Sequence, residues 1–309
     1  MAERITVQVA DRRLTLSNLD KVLYPAAGFT KRDVIDYYAR IAPVLLPHVH
    51  ARPTTFRRFP EGVDRQPFYE KDVARHAPEW VRTAKLDHGG SGTNSYPLLN
   101  DVPTLVWAAN LAALELHVPQ WTVGPRDTKR NPDLLVFDLD PGAPATVVEC
   151  CEVAVLLRPL LEADGFDVYA KTSGSKGLQL YCPVRTRRPE ATGEYAKSLA
   201  VQLAAEHPKL ITAQMTKAVR PGKVFIDWSQ NNPSKTTVAT YSLRGREQPT
   251  VSTPVSWAEV SACGKVSDLT FTSADVLERV AAQGDLFEGL HENRVTLPRA
   301  RRAGSAERK

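Results

Sequence analysis

The spacing of apolar residues changes period several times along the chain. From Ile5 to Leu16 apolar and polar positions alternate, which predicts one or two short strands. Helical spacing follows. Thr30 and Asp33 form a capping-box start, and Val34, Tyr38, Ile41 and Leu45 fall on one helical face. Between Thr54 and Glu70 aromatics and arginines interleave without a clean period. In AKLDHGGSGTNSYPLL a Gly/Ser/Asn cluster separates two short apolar runs, which predicts a hairpin. PTLVWAANLAALELHV reads as a second helix with Pro103 in its first turn.

The second half carries more strands. LLVFDLDP is apolar, β-branched and aromatic, and is bounded by Pro132 and by Pro141-Gly142. ATVVECCEVAVLLRPLLEADG predicts a long helix, kinked at Pro159 and closed by Gly165. DVYAKT and LQLYCPV predict strands joined by SGSKG. GEYAKSLAVQLAAEHP predicts a helix, KVFIDWS a strand, and SADVLERVAAQG a last helix capped by Ser273. From about Glu292 periodicity stops and the chain turns basic, which predicts a disordered tail. This mixture of hairpins and helices argues for an α+β (mixed α/β) class and against a doubly wound Rossmann fold.

Composition narrows the field only a little. The 309 residues are 42% hydrophobic and 24% charged, ordinary for a soluble globular protein with a sizeable core. Four cysteines, Cys150, Cys151, Cys182 and Cys263, lack zinc-ligand spacing and read as reduced thiols. No apolar run has the length of a signal peptide or membrane span, so a cytoplasmic protein is expected. The net charge is +5 and uneven, with clusters at Arg57 and Arg58, at Arg185, Arg187 and Arg188, and at Arg294, Arg299, Arg301 and Arg302. One such cluster is ordinary solvated surface. Several together favour a phosphate backbone as partner.

The strongest chemical feature is Asp138 and Asp140 in VFDLDPG. Residues i and i+2 of a strand share a face, so both carboxylates project together from an apolar strand. Two close carboxylates repel unless a cation sits between them, and hard oxygen ligands suit magnesium or manganese. Asp227 in VFIDWS is a third candidate, and three acids on adjacent strands would make a two-metal site. The plain alternative is that an Asp before Pro-Gly is a turn former. Between two strands lies Thr172-Ser173-Gly174-Ser175-Lys176-Gly177, whose small residues let backbone N–H groups curl round an anion while Lys176 adds a point charge. No helix follows, so it is not a Walker loop. By itself it reads as an ordinary Gly-Ser turn.

The motifs D-K-V-L-Y-P with T-K after it, P-F-Y-E-K, L-E-L-H-V-P-Q-W, L-V-F-D-L-D-P-G, T-S-G-S-K-G-L-Q-L-Y, K-V-F-I-D-W-S-Q-N and Y-S-L-R-G-R occur in one order. Together they resemble the polymerase domain of bacterial ATP-dependent DNA ligase D, of the archaeo-eukaryotic primase superfamily, from about Val7 to Leu290. That resemblance implies a primase-type core with an RRM-like mixed sheet beside a second α/β lobe. Residues 1–290 would be one catalytic domain of two interlocked lobes, and 291–309 a basic tail. It implies a template-dependent DNA/RNA polymerase that fills short gaps or broken ends, with NTP or dNTP as substrate and Mn2+ or Mg2+ as cofactor.

Residue by residue, Asp138, Asp140 and Asp227 match the family's metal-binding triad. Ser173, Lys176 and Arg244 match triphosphate contacts, with Gly174 and Ser175 completing the loop. His117 matches a histidine near the incoming sugar. Lys21 and Lys31 match a pair gripping a downstream 5′-phosphate. Phe68 and Tyr69 match an aromatic pair near the templating base; in a strand they point opposite ways, so at most one should be buried. Arg57, Arg58 and Arg220 are candidates for the DNA backbone. Gln179 departs from the family's His and cannot carry its charge. No adenylating Lys stands at Glu162-Ala163-Asp164-Gly165, so a separate ATP-dependent DNA ligase, and with it an end-binding protein, are the expected partners, with no membrane. Two other functions fit the same acids or the same basic clusters: a metal-dependent phosphohydrolase or small-molecule nucleotidyl transferase, and a non-catalytic module bridging DNA ends.

Overall fold

A computed structural model describes residues 4–87 and 92–298. The chain forms two compact units, each assembled from separate stretches. The first comprises Met1–Arg130, Thr236–Thr253 and Phe271–Asp285; the second comprises Asn131–Lys235, Pro254–Thr270 and Leu286–Lys309. Both mix helices and sheet, the expected α+β class.

The first unit is built on a four-stranded antiparallel sheet in the order Thr237–Val238, Ala113–Val118, Thr55–Arg58, Phe68–Glu70. The helix Lys31–Val49 starts at the predicted capping box, with Thr30 and Asp33 each bonding the other's backbone. Its predicted face, Val34, Tyr38, Ile41 and Leu45, is fully buried. The Tyr38 hydroxyl donates to Leu114 O at 2.6 Å, so a core phenol keeps its hydrogen bond. The hairpin forms as Thr83–Asp87 against Thr93–Pro97; its turn, 88–91, lies outside the described residues.

One predicted element is wrong. PTLVWAANLAALELHV is not a single helix: Val102–Asn110 is helical, Ala112 takes a positive φ of 56°, and Ala113–Val118 is a strand. That strand is buried on both faces, so its apolar run carries no alternation to separate it from a helix. The last helix also differs slightly. Thr272, not Ser273, is its N-cap and accepts from Asp275 N, while Ser273 is buried in the first turn.

The second unit holds a larger sheet, in the order Ile211–Thr212, Val224–Asp227, Leu134–Pro141, Leu178–Arg185, Tyr169–Thr172, Pro254–Val255. The helices Val147–Ala163 and Ala191–Glu206 pack on it. The first ends as predicted: Gly165 takes a φ of 87° and donates to Glu162 O, and Phe166 N reaches back to Leu161 O. Cys150, Cys151, Cys182 and Cys263 are free thiols. The stretch from Glu292, predicted to lack structure, holds a short strand: Val295–Thr296 pairs in parallel with Val184 and Arg185, and Arg294 meets Asp133 at 3.2 Å. Arg299, Arg301 and Arg302 lie outside the described residues. No helix among the described residues is long and apolar enough to cross a membrane.

The central strand Leu134–Pro141 has a full partner on one side, Leu178–Arg185, but Val224–Asp227 reaches only its carboxyl half. The buried Asn231 side chain fills the gap. Its Oδ1 accepts from Val136 N at 2.9 Å and its Nδ2 donates to Val136 O at 2.7 Å, in place of a missing strand. Asn231→Ala strands a buried N–H and C=O, so it should cost about 2–4 kcal/mol of stability. Urea unfolding of the two proteins measures it, with an unchanged slope and a lower midpoint.

Candidate active site

In the second unit the sheet register lines up four polar side chains across an apolar surface. Asp227 lies opposite Asp138, Asp138 opposite Gln179, and Gln179 opposite Lys171. Lys171 is 0% exposed, and its ammonium donates to Gln179 Oε1 at 2.6 Å. The Gln179 amide then donates to Asp138 Oδ1 at 3.0 Å. The amide thus relays a buried positive charge toward a buried carboxylate. Nothing in the sequence reading had pointed to Lys171; the one signal was a Lys inside an otherwise apolar strand.

Asp138 and Asp140 share a face of their strand, as predicted. Burial pushes the Asp138 carboxyl up to about 7, Asp140 and Asp227 add to the rise, and the Gln179 hydrogen bond and Lys171 oppose it. Asp227 faces Asp138 but is drawn toward its own chain. It accepts from Ser229 N at 3.0 Å, from the Ser229 hydroxyl, and from Gln230 Nε2 at 3.0 Å. Among the described residues no three acidic, His or Cys side chains close into a ready metal cage. The donor set nonetheless fits a hard divalent cation: the oxygens are carboxylate, and Asp140 and Asp227 add repulsion to the rise that burial causes at Asp138.

The Ser-Gly loop follows Tyr169–Thr172 and folds around one hydroxyl. Ser173 Oγ accepts from Gly177 N at 3.0 Å and Ser175 N at 3.3 Å, and Gly174 takes a φ of 67°. Gly177 cannot be replaced cheaply, because a Cβ there would meet Leu139 O at 2.2 Å. Lys176 stands exposed at the tip. Arg220 lies on the Phe225 ring at 3.7 Å and donates to Met215 O.

The first unit carries the other candidates. His117 is the next-to-last residue of a strand, not near a helix end as the sequence implied. Its Nε2 meets Glu115 Oε2 at 2.9 Å. The same buried carboxylate takes Arg57 at 2.9 Å, Gly245 N at 3.0 Å and Arg244 at 3.5 Å through Oε1. Glu115 is therefore the hub of a basic cluster, and the sequence reading passed over it.

Phe68 and Tyr69 occupy the outer strand, and both are exposed, at 44% and 61%, where at most one was expected to be buried. Arg58 lies over Phe68 at 5.2 Å and Arg57 over Tyr69 at 5.7 Å, so the edge alternates cations and rings. Arg58 is also held by Glu70 and by Leu111 O.

Lys21 and Lys31 come together at the start of the Lys31–Val49 helix, where Lys31 N donates to Lys21 O. Burial brings the Lys31 ammonium down to about 8, with Lys21 and Arg58 adding repulsion. Lys31 Nζ donates to Ser17 O at 2.9 Å and Lys21 Nζ to Glu61 at 2.9 Å. The backbone N–H groups of Thr30, Lys31, Arg32 and Asp33 already have acceptors. An anion here would be met by side chains, not by the helix terminus.

The site is a sheet bearing an acidic row beside a Ser-Gly-Lys loop, and the comparisons say to which class of protein the chain belongs. The chain belongs to the family described as LigD, primase-polymerase domain, whose model matches residues 30–287. It is 46% identical over 287 residues to the multifunctional non-homologous end joining DNA repair protein LigD of Mycobacterium tuberculosis, covering 91% of this chain and 37% of that protein. It is 32% identical over 286 residues to the bifunctional non-homologous end joining protein LigD of Bacillus subtilis, covering 91% and 44%. The chain thus spans well under half the length of these curated relatives. The polymerase domain from Mycobacterium tuberculosis ligase D, solved in complex with DNA, matches with a TM-score of 0.85 and 44% identity over 92% of this chain and 100% of that one.

The acidic row generates a test. Asp138 protonates more readily when folded, so it favours the fold at acid pH and costs stability as pH rises through about 7. Asp138→Asn should therefore raise the melting temperature of metal-free protein at pH 8, by about 2–4 °C, and the gain should shrink as pH falls from about 7 and vanish below the ordinary carboxylate range, near pH 4. Manganese should raise the melting temperature of the wild type more at pH 8 than at pH 6, because a proton competes for the same carboxylate. Differential scanning fluorimetry reads both.

Proposed function

We propose that this protein is a template-dependent polymerase of DNA repair, adding one or a few nucleotides at short gaps or broken ends. The observation that carries this reading is the cross-strand row of Asp227, Asp138, Gln179 and Lys171 beside the Ser173 loop, in a chain of the LigD primase-polymerase family. In the reaction a primer 3′-hydroxyl attacks the α-phosphorus of a nucleoside triphosphate, and pyrophosphate leaves.

Asp138, Asp140 and Asp227 would hold magnesium or manganese. Such metals, when bound, make the hydroxyl more acidic and offset charge on the phosphates. Gln179 and Lys171 keep Asp138 oriented. In the second unit Lys176 and the Ser175 hydroxyl meet phosphate oxygens, the Ser173 and Ser175 N–H groups being already bonded within the loop; in the first unit Arg244 offers a guanidinium to phosphate. Phe68 and Tyr69 offer exposed rings to an unpaired template base, and Arg57 and Arg58 keep those rings in place rather than reaching for the DNA backbone themselves. Arg220 remains a candidate for that backbone.

Lys21 and Lys31 grip the downstream 5′-phosphate and so select gapped substrates. Two repelling ammonium groups, one of them buried, gain most from a dianion placed between them. Ribonucleotide preference, a separate ATP-dependent DNA ligase, an end-binding protein and a cytoplasmic, nucleoid-associated setting belong to the same reading.

The deciding experiment is extension of a labelled primer across a one-nucleotide gap bearing a 5′-phosphate, with manganese and either NTPs or dNTPs. Wild type should add the templated nucleotide, while Asp138→Ala should bind the DNA and add nothing. Failure of the wild type to extend, or pyrophosphate release without extension, would overturn the reading. Lys21→Ala or Lys31→Ala should reduce the preference for phosphorylated over unphosphorylated gaps at least tenfold, roughly the worth of one charge-assisted bond. In the wild type that preference should weaken from pH 7 to pH 9, as Lys31 sheds its proton through about 8.

A further inference from the structure

The four thiols of the second unit are not alike. Cys182 lies inside the sheet and is fully buried, and Cys150, equally buried, donates to Leu139 O at 3.4 Å. Cys151 and Cys263 meet each other instead. Cys151 is on the helix Val147–Ala163, and Cys263 caps the carboxyl end of the short helix Trp257–Ala262. The Cys151 thiol donates to the Cys263 sulfur, a contact that holds the hydrogen on Cys151 and eases its loss from Cys263. The Cys263 thiol in turn donates to Lys265 O at 3.8 Å.

Helical spacing brings the two together. Cys151, Val155 and Arg158 follow at i, i+4 and i+7, so they share one face of their helix. The segment Trp257–Cys263 packs there. Arg158 lies over the Trp257 ring at 4.6 Å, the Trp257 indole donates to Val168 O at 2.8 Å, and Val260 is buried. Beside Cys151 the packing is open. Both cysteines line a cavity of about 440 Å3, together with Val148, Val155, His207 and Val260. Val155 is 45% exposed, so the cavity reaches solvent and admits a molecule as small as hydrogen peroxide.

We propose that Cys151 and Cys263 form an oxidative modification site, at which a peroxide converts the thiol pair into a disulfide that staples the helix Val147–Ala163 to the segment Pro254–Thr270. The proposal does not depend on the polymerase reading. Cys263, the more exposed of the two and the one that accepts a hydrogen bond, reacts first. Its thiolate attacks one oxygen of hydrogen peroxide, the O–O bond breaks, and the departing hydroxide takes up the thiol's proton as water. The Cys151 sulfur then attacks the resulting sulfenic acid. The S–O bond breaks, the S–S bond forms, and the oxygen leaves with the Cys151 proton as a second water. Both sulfurs are oxidised and both peroxide oxygens are reduced.

The other thiols do not compete, because Cys150 and Cys182 are closed off from solvent. Burial holds Cys151 and Cys263 above the ordinary thiol range, so the pair answers to a high peroxide load and not to traces. The bond would close a loop of more than a hundred residues, which removes freedom from the unfolded chain.

The test uses the full chain, fully reduced, freed of reductant, treated with hydrogen peroxide and quenched with catalase. Remaining thiols are alkylated, and the protein is digested without reduction. Mass spectrometry should find the peptide holding Cys151 joined to the peptide holding Cys263, and dithiothreitol should separate them. Cys150 shares a peptide with Cys151, so variants decide between them. Cys150→Ala should keep the link, whereas Cys151→Ala and Cys263→Ala should each lose it. Should Cys151→Ala fail to fold, Cys263→Ser, a change at a half-buried helix end, decides alone. The oxidised wild type should melt about 3–8 °C above the reduced protein, and Cys263→Ser should show no such rise.

Oxygen added to Cys263 with no joined peptides overturns the proposal. So does a link through Cys150 or Cys182, or one between two chains. An oxidised protein that melts no higher than the reduced one overturns the staple as well.

Discussion

Everything in the second unit's site depends on two carboxylates being forced to face each other. Strand register puts Asp138 opposite Asp227, and Asp140 follows two residues on. Left alone, such charges would split the strands or stay protonated. Gln179 and Lys171 continue the row on the other side, so a buried ammonium acts on Asp138 through one amide. One positive charge against three negative leaves the row short of cations. That deficit adds to the effect of burial on Asp138 and makes the fold sensitive to pH.

The first unit solves the inverse problem. There a single buried carboxylate, Glu115, is surrounded by Arg57, Arg244 and His117. The surplus is positive and suits an anion. Lys21 and Lys31 repeat that logic at a second point, with the helix N–H groups already committed to other acceptors. In both units the polar groups are held by hydrogen bonds within the fold, so the side chains are placed before any ligand arrives. That is the condition for electrostatic stabilisation without reorganisation.

Gln179 joins Lys171 to Asp138 through a single neutral side chain. A histidine at that position could link Lys171 to Asp138 in one tautomer only. An amide links them with a fixed acceptor and a fixed donor and cannot take up a proton. The orientation of Asp138 is thereby independent of any titration at position 179.

Much of the fold was legible in the sequence because local rules governed it. The Thr30–Asp33 capping box, the buried face of the following helix, the turn at Gly165 and the strand carrying Asp138 and Asp140 each depend on residues within a few positions of one another. The ordered motifs pointed to the family for the same reason. The rest required tertiary structure. Ala113–Val118 passed for helix because burial on both faces erased its alternation, and His117 was misplaced with it. Val295–Thr296 gained order only from a distant strand edge. Lys171 and Glu115 were invisible because their roles come from cross-strand register and from partners up to 130 positions away, and no window along the chain contains such pairs. The sequence by itself determined which acids, bases and rings the protein owns and on which local element most of them sit. Tertiary structure alone decided which of them touch, because pairing across a sheet is set by register and burial.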